Sequence, residues 1–379
     1  MEYVLSKECA EWARDTYEKL TVKMNAQCKR VGDKIPYIPR NGRYRDLDSP
    51  DGISWWTNGF WAGILWQMYH ATKESMYRNA AESIEKRLDE ALMNYEGIHH
   101  DVGFMWLHTS VANYRLTGNT ESRKRGLHAA NLLAGRYNPL GKFIRAWNAD
   151  CTGWIIIDCM MNLPILYWAG KEINDPRYAA IAQAHADTCR VMTVRSDGSC
   201  NHISILDPYT GECTDNPGGQ GFAPGSSWSR GQSWAVYGYA LSYLHSGKTE
   251  YLQTAKQVAH YFIANLALNN WLPLVDFRAP KEPVKYDSTS AMIACCGMLE
   301  IAKHVGEYEQ SLYTDAAFNI LRACDSAFSN WNVDEDSVMS RGAGSYHSTD
   351  FGADAPIIYG DYFFVEAILR LLGKDFLIW

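Results

Sequence analysis

The sequence predicts an all-α protein, an (α/α)6 toroid in which six inner helices are ringed by six outer ones, formed as one domain over residues 1–379. Three observations carry this. Apolar residues recur with a period near 3.6 in about twelve segments, with very little strand-like alternation. The segments come in pairs, one apolar nearly all round and the next more polar, rich in Ala, Lys, Arg and Glu along one face. The first members end in similar breaks, "ATKE", "LTGNTE", "AGKEIND", "HSGKTE", "HVGEYE" and "LLGKD", as expected of a repeated helical hairpin.

Taken in order, "CAEWARDTYEKLTVKMNAQCKRVG" at 8–31 is an outer helix that partners the last inner one. Inner helices are expected at about 55–71, 102–117, 153–169, 230–246, 287–305 and 360–372. "GFWAGILWQMYHA" and "SAMIACCGMLEIA" have no wet face, so neighbours must cover them on both sides; "SRKRGLHAANLLAGRY" and "YLQTAKQVAHYFIANL" have one. A closed double ring buries the first kind and wets the second. Its inner helices start at one mouth. Three of the loops entering them are long, about 193–229, 268–286 and 329–358, and such connections on one face of a helical domain carry binding.

Composition narrows the function. With 47% hydrophobic and 21% charged residues the chain is typical of a soluble globular protein, and no apolar run reaches the roughly 18 residues of a membrane span. The start "MEYVLSKECAEWARD" lacks the basic-then-apolar pattern of a signal peptide, and ten scattered cysteines without CxxC pairs read as reduced thiols, so a cytoplasmic location is expected. A net charge of −7 without basic blocks argues against nucleic acid as partner. Neither HExxH nor a Cys/His cluster nor an EF-hand occurs, so no metal is expected; the glycines of "NPGGQGFAPG" follow no strand, so no phosphate loop and no cofactor is expected either. The 14 Trp, many beside Gly, Asn and Asp, suit either a sugar site or ordinary core.

Asp158 is the conspicuous residue. It follows Ile155, Ile156 and Ile157 and precedes Cys159, Met160 and Met161, so its carboxylate must be paired, protonated or functional. Counted from Gly153 it lies about one and a half turns into the third inner helix. Asp101 in "GIHHDVGFMW" stands beside His100 at the entrance of the preceding one, and its alternative is an N-cap. The alternative for Asp158 is a core acid paired with an Arg or a Trp indole. "DGISWWTNGFW", "IRAWNADCTGW", "NHISILDPYTGE" and "NPGGQGFAPGSSWSRGQSW" bring Trp, His, Gln and Arg to the same entries. Arg230, between Trp228 and Trp234, is the cation placed to meet an anionic substrate, or else it pairs with an acid of a neighbouring loop.

Together, "HHDVGF", "IIIDCMMNLPILYWA", "NHISILDPYTGE", "GGQGFAPGSSWSRGQSWAVYGY" and "YGDYFFVEAILRL" closely resemble the unsaturated glucuronyl hydrolases, glycoside hydrolase family 88, from about Trp55 to the C-terminus. The resemblance implies an (α/α)6 barrel that releases an unsaturated uronic acid from the non-reducing end of small anionic oligosaccharides made by polysaccharide lyases. It implies Asp158 as catalytic aspartate and Asp101 as its partner. His202 and Gln220 would hold the reacting sugar and water, with Trp55, Trp147, Trp228 and Trp234 lining the site. It further implies weak demand for sulfate, because Gly219 precedes Gln220 and "YHSTDFGADAP" keeps Ser348 without a nearby Lys. An unsaturated rhamnogalacturonyl hydrolase, an (α/α)6 sugar epimerase and a non-catalytic carbohydrate-binding ring are the alternatives. A monomer or weak homo-oligomer is expected.

Overall fold

Six helical hairpins close into a double ring in the computed structural model, which describes residues 4–349 and 352–379. The outer helices are Lys7–Val31, Ser75–Arg87, Thr120–Ala134, Pro176–Thr193, Thr249–Ala267 and Glu307–Phe328. Each packs on an inner segment, and Lys7–Val31 packs on the last one, Ile358–Leu371, so the first helix completes the last hairpin. The ring closes where Ile358–Leu371 meets the first inner helix, Phe60–Thr72.

Burial follows the two kinds of sequence. Every residue of Ser229–Ser242, Ser288–Ala302 and Ile358–Leu371 is buried, as helices covered on both sides require. The outer helix Ser75–Arg87 buries Tyr77, Ala81, Ile84 and Glu85, a single stripe. One continuous apolar core runs from Cys9 to Trp379, and Cys159, Cys295 and Cys296 lie within it as free thiols.

Two inner segments depart from a plain helix. The second is Val102–Trp106 and Ala112–Thr117 joined by a wider π turn, Leu107–Val111. The third corrects the sequence reading: residues 153–169 are not one helix. Trp154–Ile156 is a strand, Ile157–Met161 a 3-10 turn, and the helix starts only at Pro164. The reason lies in the residues. Consecutive β-branched isoleucines favour a strand when a partner exists, and Ile203–Leu206 supplies one, antiparallel, with Ile156 opposite Ile203. Proline fits the first turn of a helix but not its interior, so Pro164 marks a start.

Ile203–Leu206 and the third strand, Cys213–Asp215, lie within the long entry to Ser229–Ser246, so the small sheet ties that entry to the segment carrying Asp158. Among the described residues, no helix is long and apolar enough to cross a membrane.

Candidate active site

At the mouth of the ring is a cavity of about 270 Å³ whose walls come from the entries of the first four inner segments. Trp55, His100, Asp101, Trp147, Asp158, His202 and Gln220 line it, all expected from sequence. Asp51, Ser54, Trp56, Ile98, His99, Met105 and Ile156 line it as well. Most of these stand in stretches already marked as mouth entries, and His99 is the neighbour of His100.

Asp101 sits just before Val102–Trp106 but makes no capping hydrogen bond, so its carboxyl is left for the cavity. Asp158 is in the 3-10 turn rather than one and a half turns into a helix. Both side chains keep 15% of their surface exposed. What holds the two segments together is Asn162, which sequence reasoning missed because it lies in the apolar run "MMNLP". Its Oδ1 accepts from the Phe104 N–H at 2.8 Å and its Nδ2 donates to the Asp158 carbonyl at 3.3 Å. Glycine at 103 allows this approach: a Cβ there would stand 2.6 Å from the Asn162 Cα.

Each acid faces a histidine. His100 Nε2 is 3.6 Å from Asp101 Oδ1, and His202 Nε2 is 3.7 Å from Asp158 Oδ1. Burial depresses His100 well below the ordinary imidazole range and His202 to about 3, so both rings are neutral. Burial first, and the charge of Asp158 second, push Asp101 up to about 8. Burial raises Asp158 to about 7, against the opposing field of Arg230, a backbone hydrogen bond and the Trp234 indole. Two carboxyls that feel one another lose their protons as a pair, and near neutral pH this pair retains one.

Other buried acids contrast with it. Asp361 accepts from the Val338 and Met339 N–H groups and from the Ser337 hydroxyl. Glu366 and Glu300 share Arg370. Asp158 Oδ1 is buried without a hydrogen-bond partner. Behind Asp101 lies a cation the sequence reading also missed: Arg136 donates to the carbonyls of Arg145, Ile98 and Ala146 and to the Asn148 side chain, and its field offsets part of the Asp101 shift.

Three expected lining residues stand behind the wall instead. Trp228 is buried, with its ring 4.4 Å from that of His202 and 4.3 Å from the Arg230 guanidinium. Trp234 is buried against Phe104 and Phe363, because Ser229–Ser246 turns its first residues straight into the core. Arg230 pairs with Asp287 at 2.9 Å and donates to the carbonyls of Ala343 and Gly344. Asp287 in turn caps the inner helix Ser288–His304 and accepts from the Ala343 N–H. The loop-acid alternative describes Arg230 as it stands. Gln220 lines the cavity while its side-chain amide donates to the Gly344 carbonyl, so both residues fasten the 329–357 loop to the mouth. In "YHSTDFGADAP", Asp350 and Phe351 lie outside the described residues.

The chain is similar to known proteins along most of its length. The family model of Glycosyl Hydrolase Family 88 matches residues 24–344. The unsaturated glucuronyl hydrolase of Bacillus sp. strain GL1 is 36% identical over 353 residues, 90% of this chain and 92% of that one. A crystal structure of unsaturated glucuronyl hydrolase from Bacillus sp. GL1 superposes with a TM-score of 0.86 at 34% identity, over 93% of this chain and 94% of that one. The unsaturated chondroitin disaccharide hydrolase of Streptococcus pneumoniae is 32% identical, covering 86% of this chain and 83% of its own. A mutant unsaturated glucuronyl hydrolase of Streptococcus agalactiae, complexed with dGlcA-GalNAc6S, superposes with a TM-score of 0.83 at 27% identity, over 100% of this chain and 95% of that one.

Proposed function

The chain belongs to glycosyl hydrolase family 88, and from that premise we propose that this glycoside hydrolase releases a 4-deoxy-Δ4,5 glucuronic acid from the non-reducing end of lyase-generated oligosaccharides. We propose Asp158 as its acid and base and Asp101 as the partner that modulates it. The observation that carries the assignment is the Asp101–Asp158 pair itself, two carboxyls raised by burial, Asp101 further by the charge of Asp158, in one tryptophan-lined cavity.

The substrate's C4=C5 bond is an enol ether, joined to the ring oxygen and conjugated to a carboxylate. Such a bond takes a proton at C4 and leaves oxocarbenium character at C5. Asp158, raised by burial to about 7, keeps a protonated fraction near neutral pH that supplies that proton; as a carboxylate it then accepts one from the water that adds at C5. The hemiketal opens, the glycosidic link is lost, and a keto acid and a shortened sugar result. Asp101, pushed to about 8 by burial and then by the charge of Asp158, keeps its own proton while Asp158 gives one up, so the pair resists full ionisation. His202, neutral and 3.7 Å from Asp158, is placed to hold the reacting sugar and water together with Gln220, and Trp55 and Trp147 offer apolar surface to the sugar rings.

The unbroken core from Cys9 to Trp379 supports reading the chain as one catalytic domain. The substrate is a small anionic oligosaccharide, and the acidic lining favours one whose leaving sugar carries no sulfate. The experiment that tests the function is an assay of the purified protein on a panel of lyase-derived unsaturated disaccharides, followed as loss of their ultraviolet absorbance and repeated with Asp158→Asn.

A further inference from the structure

His202 makes two polar approaches, one on each ring nitrogen. Its Nδ1 accepts the backbone N–H of Gln220 at 2.9 Å, and its Nε2 faces Asp158 Oδ1 at 3.7 Å. A neutral imidazole has one donor and one acceptor nitrogen, and whichever accepts from a fixed N–H leaves the proton on the other. The ring itself cannot turn away, because it packs against Trp228 at 4.4 Å and its own carbonyl accepts the Ile157 N–H at 3.1 Å.

The turn that delivers the Gln220 N–H is built on glycine. Gly219 has φ +58°, and a Cβ there would stand 2.0 Å from His202 Nδ1. The same turn is fastened from its far side, where Tyr346 donates its N–H to the Gln220 carbonyl at 2.8 Å.

We propose that the Gly219–Gln220 turn is a tautomer lock: its backbone N–H fixes His202 with the proton on Nε2, so that the ring presents a permanent donor to Asp158 and to a substrate oxygen between them. Gly219 is thus a positioning residue, acting through His202. The catalytic consequence rests on the reading of Asp158 given above, whereas the tautomer itself does not. A donor held at this point stabilises the Asp158 carboxylate once it has delivered its proton, and the opposite tautomer would present a lone pair to it.

The test is ¹H–¹⁵N correlation NMR of the ligand-free protein at neutral pH, with His202 assigned by the signals lost in His202→Gln. Protonated Nε2 and unprotonated Nδ1 are expected in the native protein and in Gln220→Leu, which keeps the backbone N–H. Gly219→Ala loses this pattern, and its kcat falls at least about tenfold. Where Ala prevents folding, the tautomer read in the native protein and in Gln220→Leu decides the test. A proton on Nδ1 in the native protein overturns the lock. So does the native pattern persisting in a Gly219 variant, or its loss with kcat unchanged. Loss of the lock can be read even if Asp158→Asn proves fully active, so failure of the lock and failure of the mechanism are separable.

Discussion

The Nε2 atom of His202 stands 3.7 Å from Oδ1 of Asp158, and both atoms are buried without a hydrogen-bond partner. That distance exceeds a hydrogen bond. Two polar atoms left facing one another in a cavity cost stability unless a ligand satisfies them, and on the proposed mechanism they are where a reacting oxygen would be held.

Asp158→Asn keeps the side-chain shape but cannot cycle a proton. Its kcat falls by about a hundredfold or more while the protein stays folded. Steady-state kinetics beside circular dichroism checks this, and near-normal turnover in a folded variant would make Asp158 a core acid.

The raised carboxyls also predict how stability depends on pH. In the unfolded chain each aspartate returns toward its ordinary value of 3.8, whereas in the fold Asp158 titrates near 7 and Asp101 near 8. Between about pH 4 and 8 the folded state therefore binds more protons, and stability contributed by these groups declines as pH rises through that window. Asp158→Asn removes one such group. Its Tm relative to the native protein is expected to be higher at pH 8 than at pH 5, and an unchanged difference across the window would contradict the buried-acid reading.

Arg230→Met should act first on the scaffold. It leaves Asp287 buried without its cation, a loss of about 3–5 kcal/mol for breaking such a pair, and Tm falls accordingly. The variant also removes the field that lowers Asp158, so the basic limb of kcat/KM moves to higher pH where the protein remains folded. A rise in KM with Tm unchanged would return Arg230 to the substrate.

Among the described residues, the cavity lining holds Asp51, Asp101 and Asp158 and neither Lys nor Arg. An unsulfated unsaturated disaccharide is therefore expected to exceed its sulfated counterpart in kcat/KM by about tenfold, the equivalent of ~1.4 kcal/mol. Parallel kinetics on matched pairs settles this, and equal or reversed values would require a cation outside the cavity wall.

How far the sequence spoke depended on the kind of constraint. The double ring was legible because burial on both faces is written directly into stretches such as "SAMIACCGMLEIA". Asp158 was legible because an acid among isoleucines is costly. Its local structure was not: Ile155–Ile157 suit strand and buried helix alike, and only the distant partner Ile203–Leu206 decides between them. Pro164 was the available signal that the helix begins later. Aromatic type shows neither which side of a wall a ring occupies nor how steeply a helix enters the core, so it did not separate Trp55 and Trp147, which line the cavity, from Trp228 and Trp234, which pack behind it. Asn162 and Arg136 act through contacts tens of residues away, which no local pattern announces.

The most direct measurement follows one unsaturated disaccharide in two ways at once, as loss of the double-bond absorbance and as release of the leaving sugar. Hydration of C4=C5 by Asp158 predicts that bleaching and release proceed one for one from the start with the native protein, and that both collapse together in Asp158→Asn. Release of the leaving sugar while the absorbance persists would show direct cleavage of the glycosidic bond and contradict the account.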